Sequence, residues 1–153
     1  MEDQVSKLIR QRDRLLTLAA VSFLFWQGAQ LAMDIAQEGG WEFGPFELVI
    51  HLCLLAGALG WAGASFLFLL YASRVQRSKA QSVIQDELFC HNQRIAIRFG
   101  FMAIIAATAL LLAADLLVDF SATIALRALL IIGITAPLSR FLILGRDDLE
   151  DES

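Results

Sequence analysis

Four long apolar runs constrain this chain more than any other feature. They extend from Leu15 to Ile35, from Leu48 to Tyr71, from Phe99 to Val118 and from Ala122 to Leu144. Each approaches the roughly 20 residues that a helix needs to cross the hydrocarbon core of a bilayer. A helix is also the only single segment that satisfies its own backbone hydrogen bonds in lipid. Composition agrees: 58% of the 153 residues are hydrophobic and 18% are charged, against about 45–50% and about 25% in soluble domains. A water-soluble fold of this length has too little interior to hide that much apolar surface. The expectation is an all-α membrane protein, a four-helix up-down bundle in one domain over residues 1–146, followed by an acidic tail at 147–153.

The placement of Lys and Arg sets the expected orientation. Lys7, Arg10, Arg12 and Arg14 precede the first run. Arg74, Arg77, Lys79, Arg94 and Arg98 lie between the second and third, and Arg140 and Arg146 close the fourth. The other two connections, Gln37 to Glu47 and Asp119 to Ser121, carry neither residue type. The positive-inside rule then puts both termini and the middle connection in the cytoplasm. The first apolar run is too long for the core of a cleaved leader and leads into Gln27, Gln30 and Asp34, so it reads as a span. Cys53 and Cys90 fall in different compartments, which argues against a mutual disulfide.

Amphipathic cytoplasmic extensions are expected before spans one and three. Val5, Leu8, Ile9 and Leu15 alternate with basic residues. In the middle connection Ser82 is a candidate helix cap with Asp86 and Glu87 in the first turns, and Val83, Ile84, Phe89 and Ile95 continue the apolar pattern. The connection on the other side, with Trp41, Phe43 and Phe46, has the aromatic character of a membrane–water interface. The two halves share a basic extension, a span ending in an acid (Asp34, Asp115) and a span with a basic-type residue near its start (His51, Arg127). Convergent topology and duplication explain this equally well.

Ionisable groups inside spans are costly and mark candidate sites. Asp34, His51, Asp115 and Arg127 form an expected polar cluster near the outer face. Asp115 and Arg127 flank the short second outer turn at similar depth, so they are expected to pair across the hairpin, a contact that fixes register rather than performing chemistry. Gln27, Gln30 and Asp34 share one helix face at i, i+3 and i+7. His51 lacks neighbours with metal-ligand spacing, and Cys90-His91 lacks a second Cys/His pair, so no metal or other cofactor is expected. No nucleophile, base or oxyanion constellation suggests catalysis. Ala56, Gly57, Gly60, Gly63 and Ala64 give the second span a small-residue stripe, suited to packing within the bundle or to a homodimer interface. Pro137, after Gly133 and Thr135, predicts a kink.

The pattern Asp86-Glu87 with Asn92, Ala96 and Gly100, running into an apolar span, resembles a group of uncharacterised bacterial inner-membrane proteins. Those proteins have four spans and an Asp-Glu motif ahead of the third, and some are encoded beside small Cro-type helix-turn-helix regulators. The resemblance covers the middle connection and the topology and supplies no catalytic residues. It implies a membrane partner that restrains a transcription regulator. The acidic run Asp147-Asp148-Leu149-Glu150-Asp151-Glu152 suits a basic partner, or else is a solvated tail. The expected function is thus a non-enzymatic regulatory protein of the bacterial inner membrane, surrounded by lipid, binding a cytoplasmic protein and not nucleic acid directly. Two alternatives stay open: a small transporter or channel subunit using the outer polar cluster, and an accessory subunit of a membrane enzyme.

Overall fold

The computed structural model describes residues 2–77 and 87–151, with side chains over 8–75 and 90–145. Four long helices account for nearly all of them: α1 (Glu2–Gly39), α2 (Glu47–Arg77), α3 (Glu87–Asp115) and α4 (Ala122–Asp151). All four are long and apolar enough to cross a membrane. Their apolar side chains face outward, with Leu59, Phe66, Phe101, Met102, Leu110 and Leu112 exposed. The buried set is small and dominated by modest residues such as Ala20, Ala64, Ala96 and Ala107. This is the surface of a membrane protein, in which hydrocarbon takes the place of water and helix packing relies on close van der Waals fit.

The ends of the helices differ sharply. At the end bearing the two short connections, here the hairpin end, each helix stops close to its apolar boundary. At the other, the terminal end, the helices continue. With 38 residues, α1 is roughly 57 Å long, against about 30 Å of bilayer hydrocarbon. α2 continues to Arg77, α3 starts at Glu87 and α4 reaches Asp151. The acidic run at the C-terminus is therefore a helical continuation of α4 as far as Asp151. Ser82 and Asp86 lie outside the described residues, so the expected start of the third helix near Ser82 falls there as well.

Local chemistry explains the turns. α1 ends in a Schellman motif: Gly40 takes φ 65°, and the Trp41 amide donates back to the Ala36 carbonyl at 2.8 Å. Gly tolerates that left-handed conformation without the Cβ penalty. A short 3-10 turn at Gly44–Phe46 then feeds α2. Between α3 and α4 the connection runs from Leu116 to Ser121, longer than the hydropathy pattern implied. Ser121 caps α4, its Oγ accepting from the Ile124 amide at 3.4 Å.

Helix order in the bundle is α2–α1–α4–α3. α1 packs on α2 and on α4, and α4 packs on α3, whereas α2 and α3 make little or no contact. Three seams of an up-down bundle are therefore formed and the fourth is open. The α1–α2 seam is tightest, because Gly57 lies against the backbone of Ser22 and Trp26 and Gly60 lies against the Ser22 side chain. Phe23 and Trp61 add a ring contact with centroids 5.0 Å apart. In the α3–α4 seam the ring of Pro137 sits beside Gly100, where a methyl group would stand 2.9 Å from it, and Ile104 fills the space over Gly133.

Candidate functional site

The polar face of α1 meets Arg127 of α4. Gln27, Gln30 and Asp34 lie on one side of α1, as their spacing requires. Arg127, near the start of α4, donates through Nε to Asp34 Oδ2 at 2.7 Å. Its Nη1 donates to Gln27 Oε1 at 3.3 Å and to Gln30 Oε1. One guanidinium thus clasps three acceptors over two turns of the facing helix. Its planar fork of donors makes this possible where a lysine ammonium would act as a point charge. Gln27 is buried, and the Arg127 and Asp34 side chains keep 22% and 25% of their exposure. The charges of Arg127 and Asp34 offset each other, and Arg127 Nε and Nη1 both donate to protein acceptors.

The Asp115–Arg127 pair expected from the sequence is not formed. Asp115 is the last residue of α3, exposed, so it is not at the depth of Arg127. The reason lies in two places. The apolar residues Leu116, Leu117 and Val118 belong to the turn and not to the helix, which raises Asp115 to the rim. The Gly100–Pro137 contact also fixes the rotation of α4. Arg127 lies roughly 80° around the helix from Pro137, which turns it away from α3 towards α1.

His51 also stands apart from the clasp. Its Nδ1 donates to the Glu47 carbonyl at 2.8 Å, one turn back on α2. It borders a cleft of about 450 Å³ at the hairpin end, with Gln37, Trp41, Glu42 and Glu47. Of the four expected polar residues, the structure unites Asp34 and Arg127 and separates His51 and Asp115. Among the described residues no group of three His, Cys, Asp or Glu converges as a metal site, and Cys53 and Cys90 are free thiols.

The small-residue stripe divides by face. Gly57, Gly60 and Ala64 turn to α1, while Ala56 and Gly63 are exposed. Of the Asp-Glu motif, Asp86 lies outside the described residues, Glu87 opens α3, and Asn92 and Ala96 are buried.

Two further ties span the α1–α4 seam. At the hairpin end, Glu38 Oε2 accepts from the Ser121 amide at 3.1 Å. At the terminal end, the Arg12 guanidinium stands 5.3 Å from the centre of the Phe141 ring and forms an ion pair with Asp13 at 2.9 Å. The sequence reading missed both. Ser121 immediately before the α4 run was a visible capping signal; nothing in the sequence points from Arg12 to Phe141. Comparison with known proteins adds no relative: no family model, curated protein or solved structure matches this chain.

Proposed function

We propose that the chain is a non-enzymatic multi-pass protein of the bacterial inner membrane that binds or restrains a cytoplasmic partner. Both termini and the connection between α2 and α3 lie on the cytoplasmic side in this reading, following the distribution of Lys and Arg. The observation that supports it is the one-sided length of the helices. Every helix runs past its apolar boundary at the terminal end, whereas the hairpin end stops close to it. A protein built this way offers its water-exposed surface to one compartment. The extensions of α1 and α3 act as amphipathic helices there, and the acidic residues Asp147 to Glu152 attract a basic partner. By resemblance that partner is a small DNA-binding regulator, which the membrane protein holds without touching nucleic acid itself.

A transporter or channel subunit is the second reading, favoured by the Asp34–Arg127 clasp within the spans. The clasp weighs against it too, since the guanidinium is already bonded to three protein acceptors. Crosslinking followed by affinity capture from native membranes separates the two. Changing Asp147, Asp148, Glu150, Asp151 and Glu152 to Asn or Gln should release the partner and leave insertion intact, and raised salt should weaken capture. A chain that captures no soluble protein, and loses its cellular phenotype only through changes at Asp34 or His51, would replace the regulatory reading with the transport one.

A further inference from the structure

We propose that the cleft between the end of α1 and the start of α2 binds a small organic cation, an ammonium group carried on a hydrocarbon or aromatic body. This goes beyond the regulatory reading, because no residue of the cleft belongs to the surface assigned there to a partner. The cleft has a volume of about 450 Å³, within the roughly 300–1,000 Å³ of small-molecule sites. Helix periodicity gathers its walls: Met33, Ala36 and Gln37 from the last turns of α1, and Glu47, Ile50 and His51 from the first turns of α2. The connection adds Trp41, Glu42 and Phe43. Trp41 is tied to the end of α1 by its amide, which donates to the Ala36 carbonyl at 2.8 Å. Its indole packs over Gly39, where a methyl group would stand 3.0 Å from Nε1, yet 70% of the residue stays exposed.

The lining selects the ligand. Met33, Ala36 and Ile50 give the cleft an apolar side, and Glu42 and Glu47 give it charge. Neither carboxylate is bonded to another group among the described residues. His51 Nδ1 donates to the Glu47 carbonyl at 2.8 Å, which leaves Nε2 of the neutral ring as an acceptor. The surroundings are acidic as well. Asp34, Glu38, Glu42, Glu47, Asp115 and Asp119 lie at the hairpin end against one base, Arg127, and that guanidinium is engaged by Asp34 and two glutamines. The helix ends beside the cleft, C-terminal in α1 and N-terminal in α2, carry partial charges of opposite sign, so the carboxylates decide its polarity. Anions are repelled there. A bare metal ion is disfavoured too, because no three His, Cys, Asp or Glu converge among the described residues. An ammonium group on an apolar body suits what remains. It pairs with the carboxylates and lies against the faces of Trp41 and Phe43, while its body covers the apolar side.

The test uses the full chain in phosphatidylcholine nanodiscs, followed by titration calorimetry with empty nanodiscs as the blank. The probes are phenethylammonium, phenethyl alcohol as its uncharged counterpart, phenylacetate as an anionic one, and calcium ion. Phenethylammonium should bind at least about tenfold more tightly than phenethyl alcohol, and phenylacetate and calcium should give no saturable heat. Glu42→Gln with Glu47→Gln should bring the ammonium down to the affinity of the alcohol, and Trp41→Leu should weaken it several-fold. Asp115→Asn with Asp119→Asn removes the same charge from the same end but outside the cleft, and should change little. All four acids are exposed, so helix content should be unaltered, which circular dichroism checks. Equal affinity for ammonium and alcohol on the unaltered chain overturns the proposal without recourse to any variant. Binding that survives the Glu42 and Glu47 changes overturns it as well. An equal loss in the Asp115 and Asp119 variant would show attraction to a diffuse acidic surface, and saturable calcium binding would show an inorganic ion site; either result overturns the organic-cation cleft.

Discussion

Removing Arg127 should loosen the α1–α4 seam, and the size of the effect follows from its contacts. Breaking one partner of a buried ion pair costs about 3–5 kcal/mol. Here the two side chains keep 22% and 25% of their exposure, which places the cost below that range. Individual interhelical hydrogen bonds in membranes average about 0.6 kcal/mol and reach about 1.7 kcal/mol, and Arg127 makes three such contacts. Arg127→Leu should therefore destabilise the fold by about 2–3 kcal/mol. Asp34→Leu should cost about 2 kcal/mol, since the guanidinium keeps its two glutamines but loses its counter-charge. The double change should cost less than the two singles together, with a coupling of about 1–2 kcal/mol. Asp115→Leu, at an exposed helix end, should shift stability by no more than about 0.5 kcal/mol. Titrating the chain from mild detergent into a denaturing one, with helix content as the readout, measures all four. Strong coupling of Arg127 to Asp115 and none to Asp34 would refute the assignment and restore a pair internal to the α3–α4 hairpin.

Two further outcomes are expected in the same assay. Gly57→Ala should cost about 1–3 kcal/mol, because the added methyl meets the backbone of Ser22 and Trp26, whereas Gly63→Ala, which has open space, should be neutral or slightly stabilising; equal effects would mean that α1 does not pack on the Gly57 face. Tyr71→Phe should stabilise by about 1 kcal/mol, since its buried hydroxyl has no hydrogen-bond partner; a clear loss of stability would show that the hydroxyl is bonded.

The spans were legible in the sequence because length and hydropathy report a property of whole segments, which neighbouring helices do not alter. The polar face of Gln27, Gln30 and Asp34 was legible for the same reason, as spacing alone puts it on one side. What faced it was not. The partner of Arg127 depends on the rotation of α4, and that rotation follows from a long-range contact between Gly100 and Pro137 that no local pattern announces. Turn depth failed for a different cause: Leu116, Leu117 and Val118 carry the hydropathy of a span and lie outside the helix, so apolar character misplaced Asp115. The open seam between α2 and α3 was likewise invisible, because an exposed leucine and a packed one are the same letter in a helix apolar on every side.

The order of the seams bears on how the chain is made. If the four helices span a bilayer as proposed, α1 and α2 can complete their mutual packing as soon as both have entered it, and α3 and α4 can do the same later. Asp34, Gln30 and Gln27 have no counterpart until the last helix is delivered, since Arg127 arrives with α4. A chain arrested after its second helix would thus display a carboxylate and two amides on a surface meant for another helix. In an environment without water that surface is a signal of incompleteness, readable by any membrane quality-control machinery that binds polar groups in lipid. Arrival of Arg127 erases it. The same clasp that holds the two hairpins together therefore also distinguishes a finished molecule from half of one.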